Sequence, residues 1–407
     1  MLSQMTRTVS PGKNADRKTV KGVDEMDKEY RICTKCIMDT TDKEIEFDEN
    51  GVCNHCKRYN GMAAAQLLPA DAAERELKHI VTRIREQSSG SPYDCVIGLS
   101  GGVDSTFIAW HVVTLGLTPL AIHVDNGWDP PASVRNIQRT VERLRIELRN
   151  VILDWDEFKD IQLAFLQASV PDAEIPTDHA LAAILYRVAA EEGLRYIISG
   201  ANLVTEGIKP RSWTYGILDC RYIKDVHRRF GARKLRKFPR LLLRRYLYYA
   251  FVKKIRVIPL LNYVPYNRAE AIRVLQKEIG WVPYGDKHCE SIYTRFVQCY
   301  ILPRKFNIDK RRAHLSTLIC SGQLSRDEAL QQMEREPYPE ESLLESDRQY
   351  VLEKLGLSED DFAELMQKGP RTHQDYRTSK SLQNAILQAG RVARRLGLLP
   401  KNLRFGL

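Results

Sequence analysis

Two sets of residues in this chain have the types and spacing to do chemistry. The first is the run Ser100, Gly101, Gly102, Val103, Asp104 and Ser105, directly after the apolar stretch DCVIGL at 94–99. Paired glycines let backbone N–H groups approach phosphate oxygens, the serines add hydroxyl donors, and a following helix points its positive end at the anion. Asp104 repels bare phosphate, which calls for a bridging Mg²⁺ or a structural task in the loop. The run lacks the Gly-Lys-Ser/Thr ending of the common P-loop, so transfer of a γ-phosphate is not indicated. A glycine turn with a serine cap is the plain alternative, and the strand-to-helix setting argues against it.

The second set is Cys33-x₂-Cys36 and Cys53-x₂-Cys56, with 16 residues between the pairs. Two such turns can surround Zn²⁺ with four thiolates, leaving no open position, so the metal is expected to be structural. A redox pair or an iron–sulfur cluster is the competing reading. His55 reads as a solvated surface histidine.

Other polar residues are less distinctive. Asp125 ends the apolar run PLAIHV and is either a helix cap or a group near nucleotide or metal. Thr177 reads as a cap, with Asp178 and His179 in the first helical turn at the sheet end and available to a substrate. Ser199 and Gly200 open an SGAN turn, followed by Glu206 and Lys209. Residues 285–330 mix charges with aromatics without a clean period, as either a polar site or a subunit contact. Lys287, His288, Glu290, Arg295 and Lys305 are its candidates for anion or amide contacts, and Arg311 and Arg312 for an interface.

The elements that must position these groups alternate. Strands are expected at 94–99, 119–124, 151–154 and 194–200, with helices after Ser105 and at 131–148, 157–169 and 178–193, which predicts a mainly parallel sheet covered on both faces. VIPLLNYVPY reads as strand and loop, and Asn267 with Glu270 as a capping box for a helix ending before Gly280. The expected organisation is a flexible tail (1–29), a zinc module (30–60), a helical linker (61–92), a nucleotide-binding domain (93–220), a basic helical insertion forming a substrate or partner region (221–330), and a helical C-terminal extension (331–407).

With 43% hydrophobic and 28% charged residues, the chain is not wholly disordered, and nine cysteines are too few for a secreted disulfide scaffold. The start has no apolar segment of signal-peptide type, so a cytoplasmic location is expected. The net charge of +10 is local: residues 221–256 carry +13, leaving −3 for the rest. That segment suits a docked partner, a membrane-adjacent surface, an acidic nucleotide sugar or an ordinary solvated helical face.

The SGGVDS loop resembles that of the PP-loop ATP pyrophosphatases, which cleave ATP to AMP and pyrophosphate while adenylating a carbonyl oxygen. Asp125 matches their acidic strand end, and SGAN resembles their later nucleotide loop. Across 31 to about 375, the stretches RICTKCIMDT, VIGLSGGVDST, HVDNGW, IPLLNY and KFNIDKRRAHLSTLICSGQ look like the N-acetyl sugar amidotransferases of surface-polysaccharide (O-antigen) synthesis. An aromatic at the position of Cys289 and a small residue at that of Cys299 are commoner in that family. These two thiols read as packing groups.

The resemblance implies an α/β fold: a parallel-sheet, adenine-nucleotide-binding PP-loop domain with an N-terminal four-cysteine zinc knuckle and a helical C-terminal extension. It implies ATP, Mg²⁺ and Zn²⁺, and conversion of the N-acetyl group of a nucleotide sugar into an acetamidino group with release of AMP and pyrophosphate. Asp104, Asp178, His179, Lys287, His288 and Glu290 are then the expected catalytic residues; Ser100 to Ser105, Asp125, Ser199 and Gly200 hold the nucleotide. It further implies a separate glutaminase subunit supplying ammonia, a barrel cyclase-like subunit and a place near the inner face of the membrane. No stable nucleic-acid partner is expected, and an oligomer is left open. The alternatives are a PP-loop tRNA sulfurtransferase, against which Cys220, Cys289, Cys299 and Cys320 form no clear catalytic pair, and a non-catalytic ATP-binding assembly subunit.

Overall fold

The computed structural model describes residues 29–284 and 291–395. Helices α1 (Asn54–Gln66) and α2 (Ala70–Ser88) lead into β1 (Cys95–Gly98), α3 (Val103–Thr114), β2 (Pro119–Asp125), α4 (Pro131–Leu144), β3 (Glu147–Ile152), α5 (Trp155–Ala168), α6 (Ile175–Glu191) and β4 (Tyr196–Ser199). The short α7 (Leu203–Glu206), then α8 (Cys220–Phe230) and α9 (Leu243–Leu247), precede β5 (Arg256–Pro259). All five strands are parallel, in the order β3-β2-β1-β4-β5. Because β1 runs to β2 and β3 on one side and the chain then returns to β4 and β5 on the other, the order reverses beside β1. In an open parallel sheet that reversal leaves a crevice at the carboxyl ends of the strands.

Val96 and Ile97 on β1 enter different cores, as alternation in a strand requires. Ile97 packs with Ile108 and Val112 of α3 and with Leu275 of α10 (Arg268–Glu278). Val96 packs in a core that holds Phe165, Ile184, the four paired cysteines and the C-terminal helices. Those helices are α11 (Ile292–Phe296), which continues through Val297–Ile301 into α12 (Leu302–Phe306), then α13 (Lys310–Cys320), α14 (Arg326–Met333), α15 (Glu341–Leu355), α16 (Glu359–Gln367) and α17 (Lys380–Arg395). Among the described residues, no helix is long and apolar enough to cross a membrane.

Several expectations need correction. The helix expected over 131–148 stops at Leu144 because Arg145 turns left-handed (φ 53°), and 147–152 becomes the edge strand β3. The sheet does not end before residue 220: β5 joins it through pairs such as Ile197 with Val257. Helix α6 begins at Ile175 with Glu174 as its cap residue, so Thr177 lies inside it. Asn267 caps α10 by accepting from the Glu270 N–H at 3.1 Å.

Part of the basic segment is tied to α5. Acids on and before α5 hold much of it: Glu157 accepts the backbone N–H groups of Arg236, Lys237 and Phe238, each at 2.8 Å, and Asp160 accepts those of Ala232 and Arg233. Asp156 and Asp154 pair with Arg233 and Lys237 at 3.1 and 2.7 Å.

Candidate active site and metal centre

The SGGVDS loop lies at the crevice. Gly101 has φ +79°, a region costly for any residue with a Cβ, and a Cβ there would sit 2.5 Å from the Ser133 carbonyl oxygen on α4. Its own carbonyl accepts Trp281 Nε1–H at 2.9 Å and the Tyr284 hydroxyl at 3.3 Å. Inside the loop, Ser100 N–H donates to Ser105 Oγ at 3.2 Å, and the two serine hydroxyls lie 3.0 Å apart. Val103 is the first residue of α3, so the positive end of that helix opens on the loop. The SGAN turn closes the other side: a Cβ on Gly200 would meet the Asp104 backbone at 3.3 Å, and Ser199 Oγ accepts the Ala201 N–H. Tyr266 donates its hydroxyl to Asp104. This bond fixes one oxygen of the Asp104 carboxylate in the loop.

Beside the loop, an open cleft of about 310 Å³ is lined by His123, Asp125, Gly127, Asp129, Val134, Asn150 and Ile152. Asp125 accepts the Gly127 N–H at 2.9 Å. His123 bridges the Leu99 carbonyl (3.0 Å) and Asp129 (3.2 Å); burial lowers its pKa, but the Asp129 carboxylate outweighs burial and leaves it raised.

His179 is fully buried. Its Nδ1 lies 2.6 Å from the Ile217 carbonyl, Nε2 accepts the Leu241 N–H at 3.0 Å, and burial lowers its pKa. Both nitrogens are therefore engaged by backbone, and the side chain suits positioning rather than the substrate contact expected of it. Asp178, one residue away, remains open to water. Lys287, His288 and Glu290 lie outside the described residues.

Six further candidates act within the fold. Arg295 forms a buried two-point pair with Asp347 (2.6 and 2.8 Å). Lys305 donates to the Leu365 carbonyl in an apolar surrounding that pushes its pKa down to about 8. Arg311 binds Asp309, and Arg312 binds Asp39 and the Ile37 carbonyl. Glu206 pairs with Lys209 at 3.4 Å.

The four paired cysteines are buried, with their sulfurs all within 4.8 Å of one another. Cys33 and Cys56 are 3.9 Å apart and Cys36 and Cys53 are 3.7 Å apart. Zn–S bonds of about 2.3 Å in a tetrahedron separate sulfurs by about 3.8 Å, so the set fits Zn²⁺. Among the described residues it is the one cluster of three or more metal-ligating side chains.

The centre is built into the molecule rather than hung from it. Ile37 N–H donates to Ser316 Oγ, Arg326 donates to the Cys36 and Cys33 carbonyls, and Cys320 lies 3.7 Å from Cys56. His55 is buried, not solvated: it pairs at 2.6 Å with Asp42, which also accepts the Ser212 hydroxyl. Arg58 donates to the Lys209 carbonyl at 2.9 Å. The cysteine centre thus braces the 205–214 segment that follows SGAN.

Residues missed from sequence are Asp172, Glu174, Gln298 and Lys310. Glu174 accepts from Gln298 at 2.7 Å and Lys310 at 3.4 Å, while Asp172 accepts from Thr214 and the Tyr215 N–H. The available signal was two close acids immediately before PTDHA and a lysine inside KFNIDKRRAHLSTLICSGQ.

Residues 290–389 match the family described as LPS biosynthesis protein WbpG-like, C-terminal domain. The chain carries a WbpG-like C-terminal domain. Gln298 and Lys310, which hold Glu174, belong to that WbpG-like stretch. No curated protein sequence matches the chain. Solved structures similar to part of it include an NH3-dependent NAD synthetase from Campylobacter jejuni (17% identity, 50% of this chain and 83% of that one, TM-score 0.27) and the NMN synthetase from Francisella tularensis (15%, 54% and 99%, 0.27). A predicted subunit of tRNA methyltransferase from Methanocaldococcus jannaschii is also similar (19%, 45% and 75%, 0.25). The PP-loop type of the sheet rests on its strand order and the SGGVDS loop, with the WbpG-like domain packed against one face.

Proposed function

We propose that the protein is an ATP-dependent amidotransferase that adenylates an N-acetyl group of a nucleotide-activated sugar and replaces its oxygen with ammonia-derived nitrogen. The observation that carries this reading is the join between a glycine loop at the sheet crevice and a WbpG-like domain whose Gln298 and Lys310 reach the start of α6. An amide carbonyl is a poor electrophile because its nitrogen donates electrons into it. Attack of the acetamido oxygen on the α-phosphorus forms an O–P bond, expels pyrophosphate and leaves an O-adenylyl imidate. Ammonia then adds to carbon, and AMP departs carrying the former acetamido oxygen.

In this reading, backbone N–H groups at Gly101 to Val103 and the Ser100 and Ser105 hydroxyls hold the phosphates, and the cleft beside Asp125 takes the nucleoside. Their task is positioning and stabilisation of charge, with no covalent protein intermediate. Mg²⁺, when bound with ATP, supplies positive charge against the leaving pyrophosphate. The cysteine centre keeps the 205–214 wall in place. A glutaminase subunit delivering ammonia under cover, with a cyclase-like companion, fits a reaction in which water competes for the activated carbon.

The test is product analysis with Mg-ATP, ¹⁵N-ammonium and a panel of diacetamido nucleotide sugars. AMP, pyrophosphate and a sugar that has gained one ¹⁵N for one oxygen are the expected products. AMP release that instead requires tRNA and a sulfur donor replaces the proposal with tRNA thiolation. Nucleotide binding without turnover in every combination makes the chain an assembly subunit.

A further inference from the structure

Three carboxylates and one lysine meet around the start of α6. Two of the acids are fixed and nearly buried: Asp172 by Thr214 and the Tyr215 N–H, and Glu174 by Gln298 and Lys310. The third, Asp178, makes no side-chain hydrogen bond among the described residues, and its side chain is open to water although it sits deep within the fold. Beside Glu174 lies a second, independent feature. Tyr293 is 1% exposed, its hydroxyl has no partner among the described residues, and Glu174 is the charged group acting on it. A buried hydroxyl without a partner costs about 1–3 kcal/mol unless something binds it.

The direction of Asp178 follows from the helix. Leu181 and Leu185 reach to within 3.9 and 3.7 Å of the Cβ position at Gly98, the last residue of β1. Asp178 precedes them at helical spacing on the same face, one turn nearer the helix start. It therefore overhangs the strand end from which the SGGVDS loop emerges. Among the described residues, these acids do not converge to a metal-ligand cluster. A diffuse cluster of carboxylates with several hydrogen-bond acceptors suits a monovalent cation that donates in several directions.

We propose that this cluster is the nitrogen-donor site of the reaction: it takes ammonium, and Asp178 is the base that removes its proton. The proposal rests on the amidotransferase reading. The proton passes from NH₄⁺ to the Asp178 carboxylate, giving NH₃ and a carboxylic acid. The nitrogen lone pair forms the new C–N bond, the C–O bond to AMP breaks, and its electron pair leaves on AMP. The product is an amidinium cation, which the same acids hold until release; Asp178 then returns its proton to water.

The groups facing Asp178 are Glu174, Asp172, Lys310 and Lys209. Its depth within the fold, followed by the charges of Glu174 and Asp172, raises its pKa to about 7 against the two lysines, which places it where a base works at neutral pH.

The experiment compares the full-length protein with Asp178→Asn, using ammonium chloride as nitrogen donor, and measures amidine formation alongside sugar-dependent ATP–pyrophosphate exchange, which needs no donor. The variant's kcat/KM for ammonium is expected to fall about a hundredfold more than its exchange rate. Wild-type kcat/KM for total ammonium should level off above pH about 7, whereas the variant, dependent on free ammonia, should rise about tenfold per pH unit through the neutral range. An equal fall in both activities, or a wild-type profile without the plateau, overturns the role of Asp178. Wild-type protein without sugar-dependent exchange overturns the amidotransferase reading itself.

Discussion

Replacing Gly101 by alanine tests the nucleotide loop, with Gly90→Ala as its control. Both glycines have left-handed backbones, φ +79° and +86°, but a Cβ at Gly90 meets nothing within 4 Å whereas one at Gly101 lies 2.5 Å from the Ser133 carbonyl oxygen. The shared conformational cost is about 1–2 kcal/mol. At Gly101 the contact is about 1 Å short of ordinary separation, and overpacking of this kind adds about 1–3 kcal/mol. The variant loop can escape the strain by abandoning its geometry, losing the bonds from Trp281 and Tyr284. If ATP must restore that geometry, about 2–5 kcal/mol weakens binding by roughly thirtyfold to a few thousandfold. Isothermal titration with Mg-ATP reads the affinity, and thermal melting reads the stability. Gly90→Ala should lose stability while its affinity stays within about twofold of wild type. The reasoning is refuted if Gly101→Ala binds ATP as wild type does and melts with Gly90→Ala.

Four other outcomes are expected. Metal analysis should find Zn²⁺ in the wild type, and Cys53→Ser should lose it, melt earlier and become sensitive to protease within 205–214, where Arg58 and Asp42 hold the chain. Arg295→Met should cost about 3–5 kcal/mol in chemical denaturation by leaving the Asp347 charge buried without its cation, with much of the loss recovered in the Arg295→Met, Asp347→Leu double variant. Glu157→Gln weakens the acceptor for three backbone N–H groups and should open cleavage between Phe230 and Leu243 without removing ATP binding. Asp178 has a raised folded pKa, so its contribution to stability is lost as pH rises from the ordinary carboxylate range through about 7; Asp178→Asn should melt above wild type at pH 8 and converge with it below pH about 4.

The parts legible in the sequence were those whose signal is local. β1 and β4 are buried on both faces and read as continuous apolar runs; the SGGVDS loop and cysteine pairs carry their chemistry in their spacing. β5 was legible as a strand but not as a member of the sheet, because sheet membership is a pairing with β4 some 60 residues earlier in the chain. Residues 221–256 read as a surface for a partner, a membrane, an acidic nucleotide sugar or solvent, and no local pattern announces that acids of α5 hold part of the segment. His179 and Arg295 have the residue types of a site, and only tertiary packing reveals the Ile217 and Leu241 backbone around one and Asp347 beside the other. The cluster around Asp178 was half legible. The first turn of α6 is legible in PTDHA, but Gln298, Tyr293 and Lys310 arrive from more than 100 residues away.

The most direct test of the central claim follows the acetamido oxygen. A diacetamido nucleotide sugar carrying ¹⁸O in its N-acetyl carbonyls is turned over with Mg-ATP and ammonium, and the AMP is analysed by mass spectrometry. The account predicts one ¹⁸O in the phosphate of each AMP formed with amidine product. AMP without the label, alongside a changed sugar, contradicts adenylation of the acetamido group.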